Sequence, residues 1–439
     1  MLSTEIRSTF LDFFTSRGHR LVPSGSLLPP DPSLLVSNAG MNQFKPWFLG
    51  EVEPEFARAT SVQKCVRTVD FDNIGRTRRH STFFEMLGNF SFGDYHEAET
   101  IAFAYELLTR HFDLSPERLW ITVYRDDDVS ERLWRAVGVP SSRIRRLGAA
   151  DNFWSMGVPG PCGPCSDVTY DRGPAFGRAG GPAVDPERYV ELWSLVFMRS
   201  VRGETRPDGG FPVVGDLPRA CVDTGLGLDR LAAILQDVDT VVQSDLLRPT
   251  LATIEELTGR GYSPVDRDDP DRVSFEILAD HARAIAFLLA DGIRPEKEGT
   301  GYVLRRLMRR AIRHGRRLGI ADGPVLAPTT ASVVTGLGPA WPELTRAAAV
   351  IEELSTREEE SFDRTLRRGT RLVDKAIRRT LDRGESELPA QAVFTLYDSH
   401  GFPPELTADA AREAGLTVDH DGFIALSAHR RGRGGQPRT

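Results

Sequence analysis

Five residues scattered along the chain carry side chains suited to gripping a nucleotide and a charged small molecule: Arg67, Arg79, His80, Asp223 and Arg230. An arginine held on a strand can clamp a phosphate or carboxylate with two parallel hydrogen bonds, which the point charge of lysine cannot do. For Arg67 or Arg79 taken alone, a surface salt bridge is an equally good use of the side chain. Asp223 and Arg230 lie in Val222-Asp223-Thr224-Gly225-Leu226-Gly227-Leu228-Asp229-Arg230, where two glycines let the backbone approach a ligand and Asp223 offers a carboxylate to a cationic group. A lone G-x-G occurs in many turns. Paired with the Arg67 and Arg79 region, it points to a nucleotide site.

The elements that must position these groups read as strands. Residues 82–95, Thr-Phe-Phe-Glu-Met-Leu-Gly-Asn-Phe-Ser-Phe-Gly-Asp-Tyr, alternate large apolar side chains with small or polar ones, and their glycines and β-formers oppose a helix. Arg67 closes a strand at 59–67, and 68–81, with Arg76, Arg78, Arg79 and His80, reads as the mobile cationic loop of a β-hairpin. Further strands are expected at 34–36, 119–124, 168–170 and 189–197, with helices at 5–17 and 98–111 and a Gly/Pro-rich loop at 151–164. Strands and helices do not alternate as in βαβ units, and no Rossmann or P-loop spacing occurs, so the first half is α+β: an antiparallel sheet flanked by helices. After about Gln236 the pattern turns to long helices, at 246–257, 274–289, 302–318 and 343–381, the last with at least one break.

A chain of 439 residues with 40% hydrophobic content is long enough for two or three domains. The expected division is 1–237 for the sheet domain, 238–428 for an all-helical domain, and 429–439 for a disordered basic tail. No apolar run reaches the eighteen residues of a membrane span and the N-terminus lacks a signal-peptide layout, so a cytoplasmic protein without membrane attachment is expected. Four cysteines in so long a chain argue against a disulfide framework. Cys162-Gly163-Pro164-Cys165 has metal-ligand spacing, but no second Cys or His pair accompanies it, so a rigid turn is expected there and zinc is not.

The helix at 302–318 carries the strongest charge signal. Arg305, Arg306, Arg309, Arg310, Arg313, Arg316 and Arg317 fall within about 140° of arc with no carboxylate among them, opposite Leu304, Leu307, Met308, Ala311 and Ile312. In a chain of net charge −7, such a face is expected to meet the phosphate backbone of a nucleic acid rather than to be merely solvated.

Seven stretches, in order along nearly the whole chain, resemble the alanyl-tRNA synthetase family: 38–45 (NAGMNQFK), 60–67 (TSVQKCVR), 82–95, 151–165 (DNFWSMGVPGPCGPC), 222–230, 301–310 (GYVLRRLMRR) and Gly401-Phe402-Pro403. The resemblance implies a class II synthetase sheet followed by a helical tRNA-recognition domain. It implies ATP and Mg²⁺, a small amino acid, and tRNA-Ala or another aminoacyl acceptor. Arg67 resembles the arginine on the α-phosphate and Arg230 the one at the far end of ATP, with Phe84 near adenine and Arg79 and His80 beside the nucleotide. Asp223 matches the carboxylate that holds the substrate ammonium, and Met41 and Trp154 match walls of the amino-acid pocket. Ser194 stands where the family usually has an asparagine that binds the amino acid. Lys297 stands where it has an asparagine that reads the acceptor-stem G·U pair, and Glu405 where it has the partnering aspartate. The arginine helix, through Arg305, Arg306, Arg309, Arg310 and Arg313, is expected to bear on the tRNA.

The expected function is therefore ATP-dependent activation of alanine and its transfer to tRNA. Full-length family members continue into an editing domain, which this sequence does not reach. A pocket for one methyl group rejects glycine or serine by only about 1–3 kcal/mol. Two other readings stand beside the first: a family paralogue that passes a small amino acid to a small molecule or unusual tRNA, and a non-catalytic RNA-binding regulator.

Overall fold

The computed structural model describes residues 1–31, 33–206, 209–265, 269–321 and 323–433. Alternation in sequence becomes two faces of a sheet. The nine strands are β1 (Arg20–Leu21), β2 (Arg58–Val66), β3 (Phe83–Phe92), β4 (Leu119–Tyr124), β5 (Ile144–Leu147), β6 (Phe153–Ser155), β7 (Gly160–Asp171), β8 (Tyr189–Arg202) and β9 (Val213–Gly227). They run in the order β1-β2-β3-β9-β8-β7-β4-β5, with β6 paired to β7. The edge pairs β1–β2 and β4–β5 are parallel and the others antiparallel. In β3 the odd residues Phe83, Glu85 and Leu87 are buried beneath the sheet, whereas Phe84 and Met86 stand half-buried on the opposite face. Helices cover the first face and leave the second open for a site.

Covering that face are α1 (Ser3–Thr15), which buries Ile6, Phe10, Phe13 and Phe14, α2 (Leu228–Leu235), which continues directly from β9, and α3 (Pro270–Ala290). α3 begins on Asp269, whose side chain caps the Asp271 amide, with proline in the first turn. It is buried almost throughout, and its Phe287 stacks on Phe83 of β3 with ring centroids 4.0 Å apart. α4 (Gly299–Arg317) packs its apolar side against α3, and α5 (Leu326–Leu337), α6 (Ala348–Asp382) and α7 (Pro404–Glu413) are among the other helices of the helical half. One apolar core runs from Ile6 to Leu416 and includes Leu226, Phe287, Leu304 and Leu406, so it crosses the 237/238 boundary without a break.

Several expectations need correcting. Residues 34–36 form no strand. The stretch 151–164 is not a loop: it holds the end of a short helix (Ala149–Asn152), all of β6 and the start of β7. Cys162 and Cys165 therefore lie on a strand, and the pairing with β8 shifts register between them, the mark of a β-bulge. At that bulge Gly163 lies so close to the Phe197 carbonyl that a Cβ would stand 2.1 Å from its oxygen, and only glycine fits. The last helix runs to Arg433, into the expected tail, and residues 434–439 lie outside the described residues.

Candidate active site

The open face of β3, β9 and β8 forms the floor of a cleft of about 730 Å³, open solvent at its mouth included. Phe84 and Met86 come from β3, Asp223, Gly225 and Gly227 from β9, and Ser194 and Val196 from β8, because all share the parity that faces away from the helices. Register ties them together: Asp223 pairs with Phe90 on one side and Val196 on the other, and Ser194 lies between Gly225 and Asp167. Gly225 keeps the floor open, since a Cβ there would meet the Met86 sulfur at 2.8 Å.

The cleft has a cationic end and an anionic end. At the first, the Arg67 guanidinium lies 5.0 Å from the centroid of the Phe84 ring, and Arg67 Nε donates to the Asn38 carbonyl. Arg230, at the start of α2, donates to the Glu191 and Arg79 carbonyls and stands 3.5 Å from the Glu191 carboxylate. Burial lowers the Arg230 pKa, and Arg79 and Arg67 push it the same way. Arg79 lines the cleft but its guanidinium is held by the Pro186 carbonyl and by Glu187. Burial, with the charges of Arg79, Arg230 and Arg67, brings the His80 pKa down to about 4, so His80 faces the cleft as a neutral imidazole, bonded to the Thr77 hydroxyl.

At the other end stands Asp223, 6% exposed, whose Oδ1 has no hydrogen-bond partner among the described residues. Burial alone pushes its pKa up to about 7. A desolvated, unpaired carboxylate opening on a small pocket is a receptor for a cation. The neighbouring Ser194 hydrogen-bonds Asp167, a buried carboxylate that also accepts from Asn152 Nδ2 at 2.8 Å; burial and Glu191 raise the Asp167 pKa.

Two expected wall residues are placed elsewhere. Met41 is fully buried in a second apolar cluster with Phe44, Phe90 and Met198, and Trp154 packs on that cluster's edge, so neither lines the cleft. Met86, Val196 and Ala39 form the walls instead. Sequence reading also missed Asp70 and Glu191, the carboxylates at the arginine end, which carry no local signal.

A buried brace behind the cleft was equally invisible. Arg283 of α3, 0% exposed, donates to the Phe83 carbonyl at 2.6 Å and pairs with Asp229. Asp229 accepts from the Glu85 amide, and Glu85 receives the Arg7 fork at 2.6 and 2.6 Å. Phe83 and Glu85 flank Phe84, and Asp229 precedes Arg230, so one arginine from the helical half fixes both strands that present the cleft's aromatic and cationic groups.

The loop 68–81, expected to be mobile from its composition, is tied to the helical half. Arg310 donates to the Phe71 carbonyl at 2.6 Å, Arg272 to the Gly75 carbonyl at 2.9 Å, and Arg412 pairs with Asp72 at 2.9 Å. The helical half holds it at three points.

The arginine helix also departs from expectation: its charged face is not open. Arg305 and Arg309 both donate to Glu358, Arg313 forks onto Glu413 at 2.8 and 2.8 Å, Arg316 pairs with Glu359 and Asp363, and Arg317 with Glu413. Arg310 is 5% exposed and pairs with Asp409 at 3.2 Å. The carboxylates come from α6 and α7, far along the chain, where a local reading of the helix could not find them. Beside the helix runs a groove of about 850 Å³ lined by Lys297, Arg305, Arg306, Arg309, Tyr302 and Glu405. Lys297 is exposed with no ion pair among the described residues, and Glu405 accepts from the Tyr302 hydroxyl while its Oε2 is buried without a partner. Arg310 and Arg313 lie outside this groove.

An antiparallel sheet whose open face sets two arginines and an aromatic ring against a lone carboxylate is the frame of a class II synthetase, and the chain belongs to that family: the family model described as tRNA synthetases class II (A) matches residues 5–437. Within it, the curated relatives are alanine-tRNA ligases. That of Parafrankia sp. is 51% identical over 98% of this chain and 48% of its own length, and that of Streptomyces avermitilis 51% identical over 99% and 49%. That of Thermobifida fusca is 49% identical over 98% and 49%. The chain spans about half the length of the curated relatives it matches.

Proposed function

We propose that the chain activates alanine with ATP and transfers it to tRNA. The observation that carries this is the Asp223 carboxylate, without a hydrogen-bond partner among the described residues and lining the same cleft as Arg67, Phe84 and Arg230. An α-ammonium satisfies Asp223 and leaves the amino-acid carboxylate directed toward the arginines. Adenine lies against Phe84, and the Arg67 guanidinium beside that ring takes the α-phosphate. The alanine carboxylate attacks the α-phosphorus in line; its oxygen–phosphorus bond forms as the bond to pyrophosphate breaks. The tRNA ribose hydroxyl then attacks the carbonyl of the adenylate, AMP leaves, and the hydroxyl proton departs to solvent or to AMP.

Positioning and charge neutralisation do most of this work. His80 is too weakly basic at neutral pH to be a strong general base. Mg²⁺ fits as a companion of the triphosphate, supplying further charge neutralisation, because such a cation prefers phosphate oxygens and water to a full protein cage. Glu191, about half-exposed beside Arg230, is the carboxylate placed to meet it. Among the described residues no three His, Cys, Asp or Glu side chains converge on a metal position. Lys297 and Glu405, which both line the Tyr302 groove, would contact the acceptor stem.

The test is pyrophosphate exchange with alanine, glycine and serine, followed by charging of a tRNA-Ala transcript. Alanine-dependent exchange and charging are expected. Absence of exchange with every amino acid sinks the activation reading; exchange without charging sinks the acceptor.

A further inference from the structure

The second half of α6 carries exposed cations that make no ion pair among the described residues. Arg368, Arg371, Lys375, Arg378 and Arg379 are all exposed, and none has an ion pair among the described residues. At about 100° per residue they fall within about 100° of arc and extend about 16 Å along the helix. The opposite side, with Leu366, Val373 and Ile377, is buried in the core. α4 shows the contrast: its arginines are consumed by Glu358, Glu359, Asp363, Asp409 and Glu413.

Helix polarity does not explain the stripe. A macrodipole favours cations only in the last turn, whereas Arg368, Arg371 and Lys375 lie about two to four turns before the end. The first half of the same helix exposes Glu352, Glu353 and Glu360, so its charge is segregated along its length. Solubility does not require it in a chain of net charge −7. Beside the stripe, Arg378 shares the rim of a groove of about 1120 Å³ with Arg313, Arg316 and Arg317, which also holds Asp374 and Glu413.

We propose that this face of α6 docks the phosphate backbone of duplex RNA. The proposal rests on the tRNA reading above and names the surface that would hold the backbone of the acceptor. Unpaired cations at helical spacing match a row of phosphates, which position a nucleic acid without reading its sequence. No aromatic side chain stands among them to stack unpaired bases, so the surface suits a duplex and not a single strand.

The experiment compares the full chain with Arg371→Glu/Lys375→Glu/Arg378→Glu and with the milder Arg371→Gln/Lys375→Gln/Arg378→Gln. Binding of a tRNA-Ala transcript is measured across a salt series. Three lost phosphate contacts should weaken binding on the order of tenfold or more at moderate salt, and flatten the log–log salt slope by about three. The glutamines should fall between wild type and the glutamates. Alanine-dependent pyrophosphate exchange, which a folding defect would reduce, should stay within about twofold, a margin small beside the binding loss. Equal affinity and equal slope in all three proteins, or no transcript binding by the wild type, overturns the proposal. A wild type that binds the transcript but lacks exchange would count against the activation reading and leave this comparison standing.

Discussion

Asp223 costs the empty protein stability and serves the loaded one. Its pKa is about 7 in the fold against an ordinary 3.8, so the folded state holds the proton more tightly than the unfolded chain between those values. Stability therefore falls as pH rises from about 4 to about 7, by up to roughly 4 kcal/mol, and stays reduced above it. Asp223→Asn should raise the melting temperature at pH 8 and leave it unchanged near pH 4, while kcat/KM for alanine in exchange falls on the order of 100-fold or more, as expected when a desolvated cation loses its partner. In the wild type, kcat/KM for alanine should drop below about pH 7 as the free carboxyl takes up its proton, with kcat at saturating alanine nearly flat. A melting temperature lowered by the asparagine at pH 8 would contradict this account.

At the scale of elements, the brace from α3 to β3 and to the β9–α2 junction is the feature to break. Arg283→Met strands a buried Asp229 at a cost of about 3–5 kcal/mol and frees the backbone around Phe84 and Arg230. The expected result is an ATP KM raised on the order of tenfold, a smaller change for alanine, and a lower melting temperature. Adding Asp229→Asn should recover stability more than ATP affinity; equal changes in both KM values would point to general loosening. Legibility in the sequence followed the range of the forces. β2, β3 and the arginine helix were readable because alternation and helical period are local; Arg67, Asp223 and Arg230 stood out from their settings, and Phe84 entered through the family resemblance. Only the end of β7, at 168–170, was legible; its first part was hidden by glycines and prolines, which make a bulge and not a loop. The ion pairs of α4 depend on Glu358 and Glu413, some 50 to 100 residues away, and the α6 stripe was masked by Asp374, Asp382 and the glutamates of its own first half.

At the scale of the molecule, the sheet and the helices share one core, and residues 1–237 alone would expose Phe83 and Leu226 and lose Arg283 from the site. A chain cut after 237 is expected to be unfolded or inactive in exchange, and the full chain to melt in one transition by both circular dichroism and intrinsic fluorescence; an active fragment would separate the halves. The three arginine ties on the loop 68–81 set a timing as well. A segment held by Arg272, Arg310 and Arg412 opens only when the helices that carry those side chains open. Its amides near Phe71 and Gly75 should then trade hydrogen for deuterium in step with those of α3 and α4, slower by orders of magnitude than the exposed turn at Gly384. The clock for admitting a nucleotide would thus be kept by the helical half.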